Sequence, residues 1–208
     1  MKLRIQILCF CLAISAIANS QSTDSKPAAT NKRDSILLAK FKAKGTYPLI
    51  KASKFSGVMP VPGITEKPDS TMKYKLLFSF ETGTNDPQKV KDENRGLAEI
   101  GRIVNLHVAA GIPLQNIDIV IVTHRKALYS LFSNEAFKKE FKADNPNIQI
   151  IRELESAGAK FIACGQAMQF LDIDKGSLSP EVKIAIAAKV ALSTYQQKGY
   201  TMFEIDED

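Results

Sequence analysis

Lys160-Phe161-Ile162-Ala163-Cys164-Gly165-Gln166 reads as a short apolar strand that runs into a glycine turn, with a helix opening just beyond it. Four apolar residues followed by Gly are what a strand buried on both faces looks like, and such strands belong to parallel sheets wrapped by helices. The same grammar repeats on either side. Upstream, Ile117 to Thr123 is a second, almost wholly apolar strand, and Tyr74 to Phe80 a first. Downstream, Val182 to Ile186 gives a fourth and Tyr200 to Ile205 a fifth.

Helical patterns fill the gaps. Lys89 to Ala110 carries Leu97, Ile100, Val104 and Val108 at helical spacing, with Gly111 after its end. Residues 125–144 read as helix, another helix starts near Pro146 and ends at Gly158, Gln166 to Leu171 opens the next, and a last one runs to Lys198 and Gly199. Strand–helix alternation of this kind calls for right-handed crossovers and helices on both faces of the sheet. The expectation is an α/β, flavodoxin-like three-layer sandwich around a mainly parallel five-stranded sheet, over residues 73–208.

Ahead of it lie two segments of different character. Residues 1–20 have the three parts of a secretory signal peptide: Lys2 and Arg4, the apolar run Ile5 to Ile17, and small residues at Ala16, Ala18 and Ser20. Cleavage after Ala18 or Ser20 satisfies the small-residue rule and predicts a periplasmic or secreted protein. Residues 21–72 read as a linker and arm. Positions 21–35 are polar enough to be disordered, Ile36 to Lys44 forms a short helix stopped by Gly45, and residues 46–70 carry Pro48, Pro60, Pro62 and Pro68. Proline fixes φ and withholds a donor, so this arm is irregular and extended. Its apolar members, among them Leu49, Ile50 and Phe55, must pack on the domain or on a neighbouring subunit.

Charge excludes some functions. The chain has 28 basic and 22 acidic residues, a formal net charge of +6 that falls by two once Lys2 and Arg4 leave with the signal. The basic residues are scattered and not interleaved with aromatics, so no nucleic-acid surface is expected. No later segment is long and apolar enough to span a bilayer, so no membrane association is expected after cleavage.

In an open parallel sheet, ligands gather beyond the carboxyl ends of the strands. Loops at Glu81 to Asp86, Thr123 to Lys126 and Cys164 to Ala167 should converge there, placing Glu81, His124 and Cys164 on one rim. Cys9 and Cys11 fall in the leader, which leaves Cys164 without an internal disulfide partner. Its thiol is either a nucleophile stabilised by backbone N–H groups of Gly165 and Gln166 at the helix start, or a small apolar residue closing a strand. His124 is either a base or a packed ring, and His107, inside the long helix, is packing or surface. No Ser–His–Asp order, metal-ligand spacing or phosphate-loop signature is present, so no metal and no cofactor is expected, and flavin binding is a remote third option.

The first strand Tyr74-Lys75-Leu76-Leu77-Phe78, the run Val120-Ile121-Val122-Thr123-His124, Leu154 with Gly158-Ala159-Lys160-Phe161 and Cys164-Gly165-Gln166, and the closing Tyr195-Gln196-Gln197-Lys198-Gly199-Tyr200 together resemble the DsrE/DsrF-like proteins of sulfur relay. The arm, Tyr47 to Lys51 and Gly57 to Val61, is similar to an extension in an exported branch of that family. The resemblance implies a homo-oligomer, trimer or hexamer. It also implies, at Cys164, a cysteine that accepts sulfur as a persulfide from a donor protein or small molecule and passes it to an acceptor. A non-catalytic oligomer that binds a ligand or partner, with Cys164 as scaffold, is the alternative.

Overall fold

The computed structural model describes residues 27–205; the expected signal peptide at 1–20 lies outside them. Five parallel strands, β1 (Tyr74–Phe80), β2 (Ile117–Thr123), β3 (Lys160–Cys164), β4 (Lys183–Ala185) and β5 (Thr201–Ile205), form one sheet in the order β4-β3-β2-β1-β5. The layers are those of a flavodoxin-like sandwich. The strand order is its own: β1 lies between β2 and β5, whereas the flavodoxin order places it between the second and third strands.

That order decides where the helices go. From β1 to β4 every step moves the same way across the sheet, so right-handed crossovers put all the intervening helices on one face. These are α2 (Arg95–Ala109), α3 (Asn134–Phe141), α4 (Ile148–Ser156) and α5 (Gly165–Phe170). The step from β4 to β5 reverses direction and carries α6 (Ala188–Gln197) alone to the other face. Two separate cores result. Phe78, Phe80, Ile119 and Ile121 pack under the first group of helices, and Leu77, Val120, Val122, Ile162 and Cys164 pack under α6.

Local chemistry trimmed several predicted helices. The long one begins only at Arg95, because Asn94 caps it by accepting from the Gly96 and Leu97 amides; Lys89–Lys91 is a separate 3-10 turn. Residues 125–144 divide into a 3-10 stretch, Arg125–Leu131, and α3, which Ser133 caps through the Ala136 amide. The linker reading is corrected at 27–35: α1 runs from Pro27 to Lys44, continuing through the Ala- and Lys-containing stretch that looked disordered. Asp34 pairs with Arg95 at 3.4 Å and anchors it to α2.

The arm packs on its own domain. Asn105, fully buried on α2, accepts from the Leu49 and Ile50 amides and donates to the Ile50 and Ser56 carbonyls. Glu153 on α4 accepts from Lys51 and Ala52, at 2.6 and 2.8 Å. Gly101 admits the arm to the surface of α2, since a Cβ there would lie 2.9 Å from Ile50 and 2.8 Å from Ser56 Oγ. A bridge between Thr46 and Val58 closes the loop.

Candidate functional site

Strand register builds the rim. Phe80 pairs with Thr123 and Thr123 with Ala163. The next residue of each strand is Glu81, His124 and Cys164, and the His124 amide still donates to the Phe80 carbonyl at 2.9 Å. His124 keeps extended backbone (φ −145°, ψ 175°). Side chains alternate along a strand, so Glu81, His124 and Cys164 follow Leu77, Val122 and Ile162 onto the α6 face. Neighbouring strands stand about 4.8 Å apart. The three residues expected on one rim therefore form a single row across β1, β2 and β3, with His124 in the middle.

Cys164 is 6% exposed, and its sulfur takes hydrogen bonds from two helix starts: Ala167 N–H of α5 at 3.5 Å and Ala188 N–H of α6 at 3.2 Å. Neither donor was foreseen. The Gln166 amide, expected to face the sulfur, donates instead to the Ile186 carbonyl at 3.1 Å. The reason is the tight approach of the β3–α5 turn to β4, where a Cβ on Gly165 would sit 2.8 Å from the Ala185 carbonyl oxygen. Gly165 is needed for that approach, and the approach turns the Gln166 amide toward β4. Ala187, at the start of α6, has no capping side chain, and the thiol of Cys164 supplies the acceptor that Ser or Asp would give elsewhere.

His124 is half-buried and held from two sides. Its Nε2 lies 3.1 Å from Ser79 Oγ, and its Nδ1 3.7 Å from Glu81 Oε2. Burial pushes the imidazole below the ordinary histidine value; the Glu81 carboxylate opposes this, and the Arg125 guanidinium adds to it. The ring is thus neutral near pH 7 and able to accept a proton. Glu81 also takes Arg125 Nε at 2.9 Å. The loop after β1 rides directly on the chain after β2, for a Cβ on Gly83 would fall 2.5 Å from Ala127 N.

Sequence reading missed Ser79, Arg125 and the Ala188 amide. Ser79 had a visible signal, as the polar end of a strand face that otherwise carries Leu77. Arg125 adjoins His124 in the chain, but only the fold bends it onto Glu81. His107 plays no part here: it packs edge-on against Tyr74, with Nδ1 2.8 Å from the Ile103 carbonyl oxygen. The closing Tyr200 donates to Asp118 and meets Tyr195 edge-on at the opposite end of the sheet, so this segment is structural. Among the described residues no cluster of His, Cys, Asp and Glu could hold a metal, and no helix is long and apolar enough to cross a membrane.

Residues 75–205 match the model of the DsrE/DsrF-like family. The chain belongs to that family. The matched span contains the whole row, from Glu81 through His124 to Cys164. No curated protein matches the DsrE-like chain. Among solved structures it is similar to a protein of unknown function, MTH1491, from Methanobacterium thermoautotrophicum, at 16% identity and TM-score 0.45, over 64% of this chain and 99% of the other. It is also similar to the ychN protein of E. coli, at 14% identity and TM-score 0.41, over 63% and 98%.

Proposed function

We propose that this DsrE-like protein is exported and carries sulfane sulfur on Cys164, working as a homo-oligomer. The observation that carries the reading is the row itself: a thiol at the end of a central strand, beside a neutral imidazole backed by a carboxylate. Two helix-start amides, of Ala167 and Ala188, donate to the sulfur. In the reaction, the Cys164 thiolate attacks the terminal sulfur of a polysulfide. The bond behind that sulfur breaks, and the shortened polysulfide departs with the electron pair. An acceptor thiolate then attacks the outer sulfur of the Cys164 persulfide, and Cys164 leaves as thiolate. No external oxidant or reductant is required. The thiol proton passes to solvent before the attack, and one returns after delivery.

The leader at 1–20 and the family membership support export and relay, respectively. Support for self-association comes from Phe170, Ile186 and Val190, which are 85%, 72% and 51% exposed around α5, β4 and α6.

The test is intact mass after reduction and incubation with polysulfide. One added sulfur mass is expected, mapped to Cys164 and lost in Cys164→Ser. An unmodified protein would defeat the proposal. The burial of Cys164 and its two amide donors favour a second reading, in which the sulfur is only a cap for α5 and α6 in a ligand- or partner-binding oligomer. That reading expects Ellman's reagent to act slowly until denaturant is added, and Cys164→Ala to leave the oligomer intact.

A further inference from the structure

We propose that Arg125 makes this site selective for small, negatively charged sulfur donors, of the polysulfide or thiosulfate type, over neutral ones. The proposal rests on the sulfur-carrying role of Cys164. Arg125 lies one residue beyond the row, immediately after His124. Its Nε forms an ion pair with Glu81 Oε2 at 2.9 Å, and both terminal nitrogens of the guanidinium have no protein partner among the described residues, on a side chain 74% exposed. A guanidinium anchored by one edge and open at the other is a fork for a multivalent anion.

The backbone holds it there at a cost. Arg125 is left-handed (φ 54°), as are only two other non-glycine residues among those described, Lys142 and Asp172. Lys142 ends α3, and Asp172 follows the end of α5, where such a conformation terminates a helix. Arg125 instead opens a 3-10 stretch, between the extended His124 and a backbone pressed against Gly83.

The surroundings carry charges of both signs, the exposed Asp86 among the acidic ones. Lys126 follows in the chain, exposed, and Lys189 stands exposed in the first turn of α6, next to the residue whose amide reaches the sulfur. Opposing them are Glu81, already engaged by Arg125, and the exposed Glu204, level with Ser79 on β5. His124 adds no charge near neutrality. What an anionic donor meets beside the row is the open guanidinium edge of Arg125, from which a neutral donor gains nothing.

Two alkylating reagents of nearly equal size separate charge from access: iodoacetate, an anion, and iodoacetamide, neutral. Rates are read at the Cys164 peptide of the native protein by mass spectrometry, against glutathione as a free thiol. The iodoacetate-to-iodoacetamide ratio should exceed that of glutathione and shrink in high salt. It should fall roughly three- to tenfold in Arg125→Gln, as loss of one nearby charge predicts. Arg125→Gly removes the same charge while relieving the left-handed backbone, so it keeps the test sound if the glutamine variant unfolds. A ratio unchanged in both variants, with Cys164 still labelled, overturns the role of Arg125 and leaves the sulfur-carrying role standing. Labelling by iodoacetamide but not iodoacetate overturns the role of Arg125 alone, and failure of both reagents to reach Cys164 before denaturation overturns both roles.

Discussion

The arm clasp and the sulfur rim are made of similar parts and differ in how completely those parts are used. At the clasp, the Asn105 amide makes four hydrogen bonds to arm backbone, and one Glu153 oxygen takes two amides. At the rim, Arg125 spends one nitrogen of three, the contact of His124 with Glu81 is long, at 3.7 Å, and Ser79 holds the other side of the ring. A saturated polar cluster fixes backbone; one with spare donors and acceptors has capacity left for a ligand. The clasp is on the face that carries four helices, and the rim row is on the face that carries one. Crossover handedness thus placed the clasp on one side of the sheet and the row on the other, under α6 alone.

The contrast breaks first at Asn105. Asn105→Ala strands four arm backbone groups in a buried setting and should cost roughly 3–5 kcal/mol, measured by urea unfolding. Cys164 labelling of the folded fraction should not change. If stability barely moved, the arm would not be the fixed region it is taken for.

A smaller effect is expected at Glu93, which sits where the arm meets the start of α2. Burial raises its carboxyl above the ordinary value, against a hydrogen bond with Ser53 and the nearby charges of Arg95 and Lys54, and its Oε1 is buried without a partner. The folded state therefore holds this proton more tightly than the unfolded one. The stability that goes with it is fully present below the unfolded glutamate pKa and is lost as pH rises through the raised folded value. Glu93→Gln should match the parent in acid and exceed it at neutral pH in thermal melts. A variant no more stable at pH 7 than its parent would remove Glu93 from the account.

The smallest effect sharpens the rim. Glu81 is the one group raising the His124 pKa against burial and Arg125. Glu81→Gln should move the His124 titration further down, followed by NMR of the ring. An upward movement would mean that Glu81 acts on His124 mainly by restraining Arg125.

Much of this was legible in the chain. Uninterrupted apolar runs such as Ile119 to Val122 announce strands covered on both faces, and Cys164 before Gly165 announces the strand end, because local pattern reports local burial. The row of Glu81, His124 and Cys164 was legible as a rim because parallel strands all end on the same edge. Strand order was not, since no single strand records which neighbours it takes. For the same reason the Ala188 amide stayed hidden from Cys164, 24 residues away and joined to it only by the crossover through β4. Asn105 could have been suspected, for it falls on the stripe of Leu97, Gly101 and Val104, where a polar residue needs a partner. Its partner in the arm, however, is 55 residues distant in the chain.

A sulfur that caps two helices has a consequence for whatever it carries. Adding an outer sulfur moves the terminal charge outward by about 2 Å, one S–S bond length. In the proposed relay the amides of Ala167 and Ala188 then face a bonded, less basic sulfur in place of the thiolate. If Cys164 carries sulfur as proposed, its occupancy and the integrity of the first turns of α5 and α6 are linked quantities: each load taken on would loosen two helix starts, and each delivery would tighten them again.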